Sequence, residues 1–507
     1  MTLGEMLPDW RLIADASAKE AGRLETALAS PRDAQVKLLD AIVKANINCE
    51  FGRRHDFSSV RSLNEFRARV PIATCESFAG DIERTAQTGI SPLFNEAPVA
   101  FERTGGSSAG SKLVPYNRAM LSAFRSSILP WMHGMLQRHS AVTEGPFYAT
   151  ISPATRQIEQ TPCGSPIGLA SDAAYLGEEL VAPFLGLLAV PPELGAISDV
   201  EQWRAATLAA LIEAQNLAFI SLWSPTFLLS LLESAPRLGD AIASLLSVEA
   251  RERFVAAMAD GELDTTLLWP KIACISCWTD GPSAAFARLL ADAFPHAEID
   301  PKGVLATEAP ITLSWGADAR RVPALTSCLI EFVNGTGDAL LCDELKEGDT
   351  YRAVITTPGG LYRYDIGDLF ECQTMEDGIP DLHFVGRAGV TSDLVGEKLE
   401  DGFVSAILSG LAMPALLAPR ADRSGYELLV GSASDAGMLL AHVERGLCAN
   451  PQYEYARRLG QLAPLSVRYV DDISSNLIER GLAAERHMGD VKCQGLFPTP
   501  FEDQTDK

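Results

Sequence analysis

The chain has 507 residues, of which 47% are hydrophobic and 21% charged, and its 66 acidic and 42 basic side chains give a net charge of -24. This length exceeds what one hydrophobic core usually serves, so at least two domains are expected. Because so acidic a surface repels phosphate backbones and anionic lipids, nucleic-acid binding and membrane-surface binding are excluded as main functions.

Neither a signal peptide nor a membrane-spanning segment is expected from the sequence. Its N-terminus lacks the basic and apolar regions of a signal peptide, and prolines and a glutamate interrupt the most apolar stretch, residues 180–197. Ten cysteines occur without the spacing of an extracellular disulfide framework, which predicts reduced thiols in a cytoplasmic protein. The close pair Cys274 and Cys277 lies in an apolar run and predicts a buried strand, with a redox or zinc site as the alternative.

The first 341 residues predict an α/β domain with largely parallel sheets, because strands alternate with helices. Helices are predicted at residues 10–29, 32–46, 200–214, 226–258 and 282–294, and a further helix begins at an Asn117 cap and ends near Gln137. Strands are predicted at 98–101, 147–151, 217–223 and 271–278, near 303 and 311, and at 328–333.

The pattern changes twice in the remainder. Residues 351–384 read as short strands with turns, a β-rich subdomain. After Gly389 a compact α+β unit follows, with helices at 399–411 and 434–449 and strands at 426–430 and 464–470. We therefore predict an N-terminal α/β domain over residues 1–390 and a small α+β C-terminal domain over residues 391–507.

The segment Thr104-Gly-Gly-Ser-Ser-Ala-Gly-Ser-Lys112 is a candidate phosphate loop. Its glycines let backbone N–H groups converge on phosphate oxygens, and its serines and lysine add donors and charge. Ser111 separates the last glycine from the lysine, which excludes a Walker A loop. Pro115 keeps the following residues extended, which disfavours a hydrolase nucleophile elbow at Ser108. A flexible surface turn remains the alternative.

Two further polar segments follow predicted strands. Thr307 and Glu308 place a hydroxyl beside a carboxylate, which suits contact with a phosphate and a divalent cation. Asp368 ends the segment Leu361-Tyr-Arg-Tyr-Asp-Ile-Gly-Asp368, and a carboxylate after a strand and turn can accept hydrogen bonds from two ribose hydroxyls. The alternative is that Asp365 and Asp368 only satisfy the backbone of the turn.

Three basic residues complete the set. Arg387 stands where the β-rich section ends, Lys398 follows it, and Lys492 lies near a loop of the last domain. Lysines are usually solvated, so each becomes a candidate only together with the other segments. In this order, the segments are the parts of a site that activates a carboxylic acid with ATP.

Taken together, the segments resemble the auxin-responsive acyl acid–amido synthetases. That family belongs to the adenylate-forming superfamily, with acyl-CoA synthetases, peptide-synthetase adenylation domains and luciferases. The resemblance covers nearly the whole chain, and its most specific part is the pair of segments at 360–368 and 386–398. Its signatures are Phe51-Gly-Arg53, Phe66-Arg-Ala-Arg-Val-Pro71, Trp223-Ser-Pro-Thr-Phe227, Gly360-Leu-Tyr-Arg-Tyr364, Ser392-Asp-Leu-Val-Gly-Glu-Lys398 and Asn450-Pro-Gln-Tyr-Glu-Tyr-Ala-Arg457.

The resemblance implies a role for each candidate residue, with ATP and Mg²⁺ as cofactors. The phosphate loop would comprise Thr104, Gly105, Gly106, Ser107, Ser108 and Lys112. Thr307 and Glu308 would lie at the α-phosphate and Mg²⁺, and Asp368 would hold the ribose with Tyr362 nearby. Arg387 would lie at the entrance to a hinge, Lys398 would reach the phosphate, and Lys492 would serve adenylation. Ser111 and Ala306 depart from the family pattern, but neither change removes a charged ligand.

The resemblance also implies a two-step reaction between small molecules. A carboxylate attacks the α-phosphorus of MgATP and releases pyrophosphate. The mobile C-terminal domain then rotates about residues near 390, and an amine, expected to be an amino acid, takes the acyl group and releases AMP. An acyl-CoA ligase that uses the same adenylate, a non-catalytic nucleotide-binding scaffold and a serine hydrolase remain as alternatives. The sequence identifies neither the acid, nor the amine, nor the base that deprotonates it.

Overall fold

The computed structural model describes residues 6–104, 112–150, 159–169, 171–259, 261, 263–431, 436–483, 488 and 491–501. In this part of the chain the α-helices are α1 Pro8–Leu28, α2 Pro31–Ala45, α3 Glu50–Arg54, α4 Leu63–Arg69, α5 Cys75–Thr88, α6 Arg118–Arg138, α7 Glu178–Gly186, α8 Val200–Glu213, α9 Pro225–Glu233, α10 Gly239–Leu245, α11 Val248–Ala257, α12 Thr265–Leu268, α13 Ala284–Ala293, α14 Asp401–Ser409, α15 Ala436–Leu447, α16 Pro451–Arg458 and α17 Ile473–Ala483.

The strands form six sheets within the same residues. They are β1 Ala100–Arg103, β2 Leu113–Tyr116, β3 Phe147–Ala149, β4 Glu159–Gln160, β5 Pro166–Ile167, β6 Phe219–Ser221, β7 Cys274–Cys277, β8 Glu298–Pro301, β9 Thr312–Trp315, β10 Arg320–Pro323, β11 Leu329–Val333, β12 Ala339–Leu340, β13 Thr350–Thr356, β14 Tyr364–Glu376, β15 Ile379–Arg387, β16 Thr391–Ser392, β17 Leu399–Glu400, β18 Ala415–Pro419, β19 Tyr426–Val430 and β20 Ser466–Tyr469.

The chain divides into two compact units, each assembled from three separate segments. The first unit takes Met1–Glu144, Arg156–Leu187 and Lys302–His383. The second takes Gly145–Thr155, Leu188–Pro301 and Phe384–Lys507. Residues 391–507, the predicted C-terminal domain, thus cluster with the segment Leu188–Pro301, and the division at residue 390 stays a prediction.

The first unit is built on antiparallel pairing. Its largest sheet has the order β12-β11-β13-β14-β15, and the neighbours from β12 to β14 are antiparallel. A second sheet, in the order β2-β1-β5-β4, flanks the glycine-rich loop, which joins β1 to β2. The helix α1 packs against α6 and α7, and it buries Trp10, Ile13 and Leu24 on one face because these positions recur at helical spacing.

The second unit contains a four-stranded sheet in the order β3-β6-β7-β8, in which every neighbouring pair is parallel. Helices connect its strands, and their apolar faces build a core with Trp203, Phe227 and Trp269 around Ile275. A three-stranded sheet, β18-β19-β20, lies in the last segment of the same unit. The carboxyl ends of parallel strands meet at one edge of a sheet, where α/β proteins commonly bind ligands.

Most of the predicted elements are confirmed. The helices at 10–29, 32–46 and 200–214 match α1, α2 and α8, and Asn117 caps α6 by accepting a hydrogen bond from the Met120 amide. The predicted strand over Cys274 and Cys277 is β7, whose residues are all buried. All ten cysteines lie in the described part of the chain as free thiols. Among the described residues, no helix is long and apolar enough to span a membrane.

Two predicted elements are wrong. The single helix expected over residues 226–258 is three helices, α9 to α11. Pro236 cannot donate a helical hydrogen bond, and the Ser247 side chain accepts from the Ala250 amide and so starts a new helix. The strand expected near 303 lies earlier, as β8, and ends at Pro301, which has no N–H to extend the ladder.

A buried ion network joins three distant parts of the first unit. Glu331, only 1% exposed in the centre of β11, pairs with Arg363 through Nε–Oε2 at 2.9 Å and Nη2–Oε1 at 3.1 Å. Arg67 of α4 donates to the same carboxylate at 2.8 Å. Arg363 also donates to the Val70 carbonyl at 3.0 Å. The network therefore fixes the segment around Arg363 to α4 and to β11.

Removal of the Glu331 carboxylate should destabilise the protein strongly. Glu331→Ala leaves two guanidinium groups without their buried counter-charge, and we expect a loss of about 3–5 kcal/mol in the free energy of unfolding. Urea denaturation followed by tryptophan fluorescence measures this loss. Lys44→Ala is the matched control, because it removes an exposed pair with Asp40 that contributes below about 1 kcal/mol. Equal effects of the two substitutions would contradict a structural role for the network.

Candidate functional site

The glycine-rich loop is closed at its base by its two end residues. The Thr104 amide donates to the Lys112 carbonyl at 2.8 Å, and the Lys112 amide lies 3.4 Å from the Thr104 hydroxyl. These contacts extend the antiparallel ladder of β1 and β2, in which Arg103 is opposite Leu113. The predicted loop residues Gly105, Gly106, Ser107 and Ser108 lie outside the described residues. The extension of β2 after Lys112 agrees with the argument against a nucleophile elbow.

Thr307 and Glu308 form the tip of a tight turn. The Ala306 amide donates to the Ala309 carbonyl at 3.0 Å, so that only these two residues are left between the ends of the turn. The buried Tyr116 hydroxyl donates to the Thr307 carbonyl at 2.6 Å and fixes the turn to β2. Both tip residues are partly exposed. The turn thus offers a hydroxyl and a carboxylate at the surface of a rigid support.

Lys112 meets a carboxylate that the sequence did not suggest. Its Nζ lies 3.3 Å from Glu76 Oε1 at the start of α5. Hydrogen bonds from Thr74, then contact with Lys112, lower the pKa of Glu76 to about 2, so this carboxylate is charged at any working pH. Partial burial opposes ionisation of Lys112, but Cys75 and Glu76 outweigh burial and raise the pKa of Lys112.

Tyr364 connects this pair to the Thr307–Glu308 turn. Burial, then the charge of Glu308 and contact with Cys75, raise the pKa of Tyr364 and keep its hydroxyl protonated. Ala73 pairs with Tyr364 in an isolated parallel bridge, which brings the start of α5 beside β14. Lys112, Glu76, Tyr364 and Glu308 therefore gather in one place in the first unit.

The segment that precedes β14 is held from inside the core. Gly360 has a φ of +91°, and a Cβ there would lie 2.7 Å from Leu93 Cβ. Tyr362 is fully buried, stacks on Phe51 with ring centroids 4.4 Å apart, and donates its hydroxyl to the Leu93 carbonyl at 2.7 Å. Tyr362 thus has a packing role, and its predicted place near the ribose stays a prediction.

The two aspartates of this segment have different environments. Asp365 accepts from the Gly367 amide at 3.0 Å and pairs with Arg352 at 2.8 Å, as the turn interpretation predicts. A β-bulge follows, because the register of β13 and β14 shifts between Arg352 and Val354. Asp368 lies within this shift, between the paired residues Asp365 and Leu369, and is only 1% exposed. Bulges commonly re-aim a side chain beside a binding site, and the ribose role of Asp368 stays a prediction.

Lys398 ends a tightly fastened loop in the second unit. Its exposed side chain follows Glu397, whose buried carboxylate accepts from the Leu394 amide at 2.8 Å and the Val395 amide at 2.9 Å. The Tyr426 hydroxyl donates to the same carboxylate. Asn450 donates to the Glu397 carbonyl at 3.1 Å and caps α16 with its amide oxygen. Two family signatures thus meet to present Lys398 on a fixed loop.

Asp401 joins the predicted hinge to the segment that carries Lys492. Its buried carboxylate lies 3.4 Å from the Arg387 amide and accepts from the Gly495 amide at 3.0 Å and the Leu496 amide at 2.9 Å. Burial raises the pKa of Asp401 although these donors oppose the shift. Gly386 allows this approach, because a Cβ there would lie 2.6 Å from Gly402 Cα at a φ of +149°. Arg387 and the Lys492 segment are therefore attached to one side chain.

The candidates fall into two groups. The first unit gathers Thr104, Lys112, Thr307 and Glu308, with Asp368 nearby in sequence to Tyr364, and the second carries Arg387, Lys398 and Lys492. No cluster of three or more His, Cys, Asp or Glu side chains suited to a metal occurs among the described residues. Mg²⁺ commonly takes one or two carboxylates together with substrate phosphates, so a single Glu308 fits a metal that arrives with the nucleotide.

Sequence reasoning missed Glu76, Tyr116 and Asp401. Glu76 carries one weak signal, since it lies in the first turn of a helix that follows Thr74, a pattern typical of helix starts. Asp401 lies in the first turn of α14, where an acidic residue is also common. Tyr364 belongs to the signature Gly360–Tyr364, but its proximity to Glu308 follows only from the fold.

The chain matches two models of one family. The GH3 family N-terminal domain matches residues 20–247, and the GH3 family central domain matches residues 323–387. A curated relative from Oryza sativa subsp. japonica, named probable indole-3-acetic acid-amido synthetase GH3.2, is 23% identical over 453 residues, which are 76% of this chain and 70% of the relative.

Solved structures show the same fold. The AtGH3.15 acyl acid amido synthetase in complex with 2,4-DB has a TM-score of 0.81 at 16% identity, and the match covers 95% of this chain and 94% of the other. The 2-hydroxyisobutyryl-CoA ligase in its postadenylation state has a TM-score of 0.55 at 12% identity, over 93% and 89% of the two chains. Because the two domain models together span more than half of the 507 residues, the chain belongs to the GH3 family.

Proposed function

We propose that this protein is an ATP-dependent ligase that adenylates a carboxylic acid and transfers the acyl group to an amine. The supporting observation lies in the first unit, where Lys112 pairs with Glu76, and the charges of Glu76 and Glu308 both act on Tyr364. Family membership points the same way, because relatives that the chain matches over most of its length are named amido synthetases. The substrates are thus a small-molecule acid and an amine, for which an amino acid is the proposed class.

In the first half-reaction, the acid carboxylate attacks the α-phosphorus of ATP and pyrophosphate leaves. Lys112 would neutralise charge on the phosphates, and Thr307 would donate its hydroxyl to a phosphate oxygen. Glu308 would hold Mg²⁺, which supplies further positive charge at the phosphates when bound. Asp368 would orient the ribose, and Lys398 and Lys492 would add positive charge. The barrier falls through positioning and charge neutralisation, without a protein nucleophile.

In the second half-reaction, the amine attacks the acyl carbon and AMP leaves. An α-amine is mostly protonated at neutral pH, so the site must favour its neutral form through a base or through desolvation. We propose that residues 391–507 rotate about a hinge near 388–394 between the two steps. Asp401 supports this location, because it lies in the part that would rotate. Its contact with the Gly495 amide would move with that part, and its contact with the Arg387 amide would break.

The rival functions predict different products. A thioester ligase would pass the same adenylate to coenzyme A, and the fold shared with 2-hydroxyisobutyryl-CoA ligase makes it the second candidate. A nucleotide-binding scaffold would bind ATP without turnover, but such a copy should have lost a charged residue among Lys112, Glu308 and Asp368, and this chain keeps all three. We also propose a cytoplasmic location, which agrees with ten free thiols.

The Glu76–Lys112 pair gives the ATP site an internal competitor. The Glu76 carboxylate is paired with the Lys112 ammonium group, which the phosphates would bind, and its negative charge also repels the phosphates. Because the pair is partly exposed, its strength is modest, and bound ATP can displace it. Binding of ATP therefore includes the cost of breaking this contact.

The function predicts acid-dependent ATP–pyrophosphate exchange that requires Mg²⁺. Glu308→Gln removes the charge that would hold the metal, so the exchange rate should fall by about 100-fold or more in a folded protein. A screen of carboxylic acids identifies the acid, and mass spectrometry with amines and coenzyme A then identifies the product. Glu376→Gln, an exposed carboxylate of β14, is the control. An acyl-CoA product without any amide would establish the thioester ligase instead. Absence of exchange with every acid would favour the nucleotide-binding scaffold without catalysis.

Glu76→Gln should lower the KM for ATP by about twofold to fivefold, the range of an exposed ion pair, with kcat little changed. The pKa of Glu76 is about 2, so the effect should be the same at pH 6 and pH 9. Exchange kinetics at several ATP concentrations measure it, with Glu83→Gln on the exposed side of the same helix as the control. In a Lys112→Ala background the effect should shrink. A raised KM would show instead that Glu76 aligns Lys112 for ATP.

Lys492→Ala should separate the two half-reactions. Loss of the ammonium group removes charge that only the adenylation step uses, so exchange should fall by about 100-fold, whereas amide formation from supplied acyl-adenylate stays near the original rate. Rapid-quench assays of both steps provide the comparison, with Lys271→Ala, an exposed lysine of the same unit, as the control. If both steps lose the same factor, the assignment of Lys492 to adenylation is wrong.

A further inference from the structure

Two indole rings mark the edge of the parallel sheet where its strands end. Trp223 follows β6 and Trp278 follows β7, and both are partly exposed. The Trp278 amide donates to the Trp223 carbonyl at 2.8 Å, so the pairing of the strands continues through both residues. Their ring centroids are 6.2 Å apart at an interplanar angle of 41°. The rings therefore occupy the edge of the sheet at which ligands usually bind.

The ammonium group of Lys492 lies over one of these rings. Its Nζ is 5.9 Å from the centroid of Trp278. A cation at this distance is attracted by the negative face of the ring, and indole is the strongest of the aromatic partners. The contact lies within the second unit and joins its middle segment, Leu188–Pro301, to its last segment, Phe384–Lys507.

The backbone on either side of Lys492 is also fixed. Val491 and Cys493 are both buried. The Cys493 sulfur lies 3.8 Å from the hydroxyl of Ser224, the residue that follows Trp223. The Ser224 hydroxyl is in turn 2.7 Å from the Thr226 hydroxyl. Burial raises the pKa of the Cys493 thiol, so it remains neutral and serves as a packing group. With its neighbours anchored, the orientation of Lys492 depends on its own side chain.

A ring differs from a carboxylate as a partner for this lysine. A carboxylate brings a full negative charge that repels the phosphates and the acid substrate, as Glu76 does beside Lys112. The face of an indole attracts the ammonium group but carries no net charge of its own, so this contact brings no negative charge to Lys492. The ring also reduces the number of rotamers that the long side chain explores.

We propose that Trp278 is a positioning residue that holds Lys492 for the adenylation step. The proposal rests on the function proposed above, in which Lys492 serves that step. Trp278 acts through the lysine, so its removal should affect adenylation and leave acyl transfer unchanged. Trp223 lies at the same edge, with its ring centroid 6.2 Å from that of Trp278, and is the comparison variant.

The test compares Trp278→Leu, Trp278→Phe and Trp223→Leu in the full-length protein. We expect Trp278→Leu to slow acid-dependent pyrophosphate exchange at saturating substrates by about threefold to thirtyfold, the range of a cation–π contact. Trp278→Phe should recover part of the rate because it keeps a ring, and Trp223→Leu should lose less than Trp278→Leu. Amide formation from supplied acyl-adenylate should stay unchanged in all three. In a Lys492→Ala background, Trp278→Leu should have no further effect.

Several results would overturn the proposal. Equal losses in both half-reactions would indicate a structural role, and a raised KM for the acid with an unchanged saturating rate would indicate that Trp278 contacts the acid. A full additional loss in the Lys492→Ala background would show that Trp278 does not act through the lysine. If Trp278→Leu fails to fold, Trp278→Phe decides alone, and wild-type exchange in it overturns the proposal. Wild-type exchange in Lys492→Ala alone would refute the adenylation role itself, independently of any tryptophan variant.

Discussion

The site in the first unit depends on a carboxylate in an otherwise apolar strand. Glu331 draws the guanidinium of Arg363 inward, and Arg363 accepts a left-handed backbone with a φ of +47° to reach it. The residues on either side then separate, with Tyr362 packed in the core and Tyr364 placed near Glu308. Buried ion pairs seldom add much net stability, but an unpaired buried charge is costly, so this arrangement selects one conformation of the segment.

The same constraint reaches Lys112, at the end of the glycine-rich loop, in short steps. Once Tyr364 is placed, the Ala73 amide donates to the Arg363 carbonyl and the Asp365 amide donates to the Ala73 carbonyl, which fixes the start of α5. Glu76 lies three residues further and meets Lys112. A core interaction thereby sets the charge around a surface lysine. Lys492 has a different kind of contact, because the face of Trp278 attracts a cation without carrying a net charge.

The sequence allowed prediction of features that depend on local pattern. Periodic apolar positions predicted α1 and α2, the Asn117 cap predicted the start of α6, and alternating elements predicted the parallel sheet. The motif order predicted the family. Partners brought together from distant segments were not predictable in this way. Glu331 is a lone charge in an apolar strand, and Glu76 belongs to no motif. No pattern in the sequence indicates that Trp278 contacts Lys492, which lies more than 200 residues later. Tyr362 was correctly placed in an important segment, but only the packing around Phe51 shows that its ring points into the core.

The interleaved composition of the two units has a consequence for synthesis of the chain. The second unit begins with residues made early, from Gly145, but is completed only by Phe384–Lys507. At about 5–20 residues per second, a ribosome takes roughly 20–70 s to translate the chain from Gly145 to Lys507. During that time the core of this unit lacks the apolar side chains that the last segment contributes, among them Leu416, Leu429 and Ile473. Nascent chains of this protein should therefore depend on chaperones more than a chain whose domains follow one another, and C-terminal truncation should affect both ends of the second unit at once.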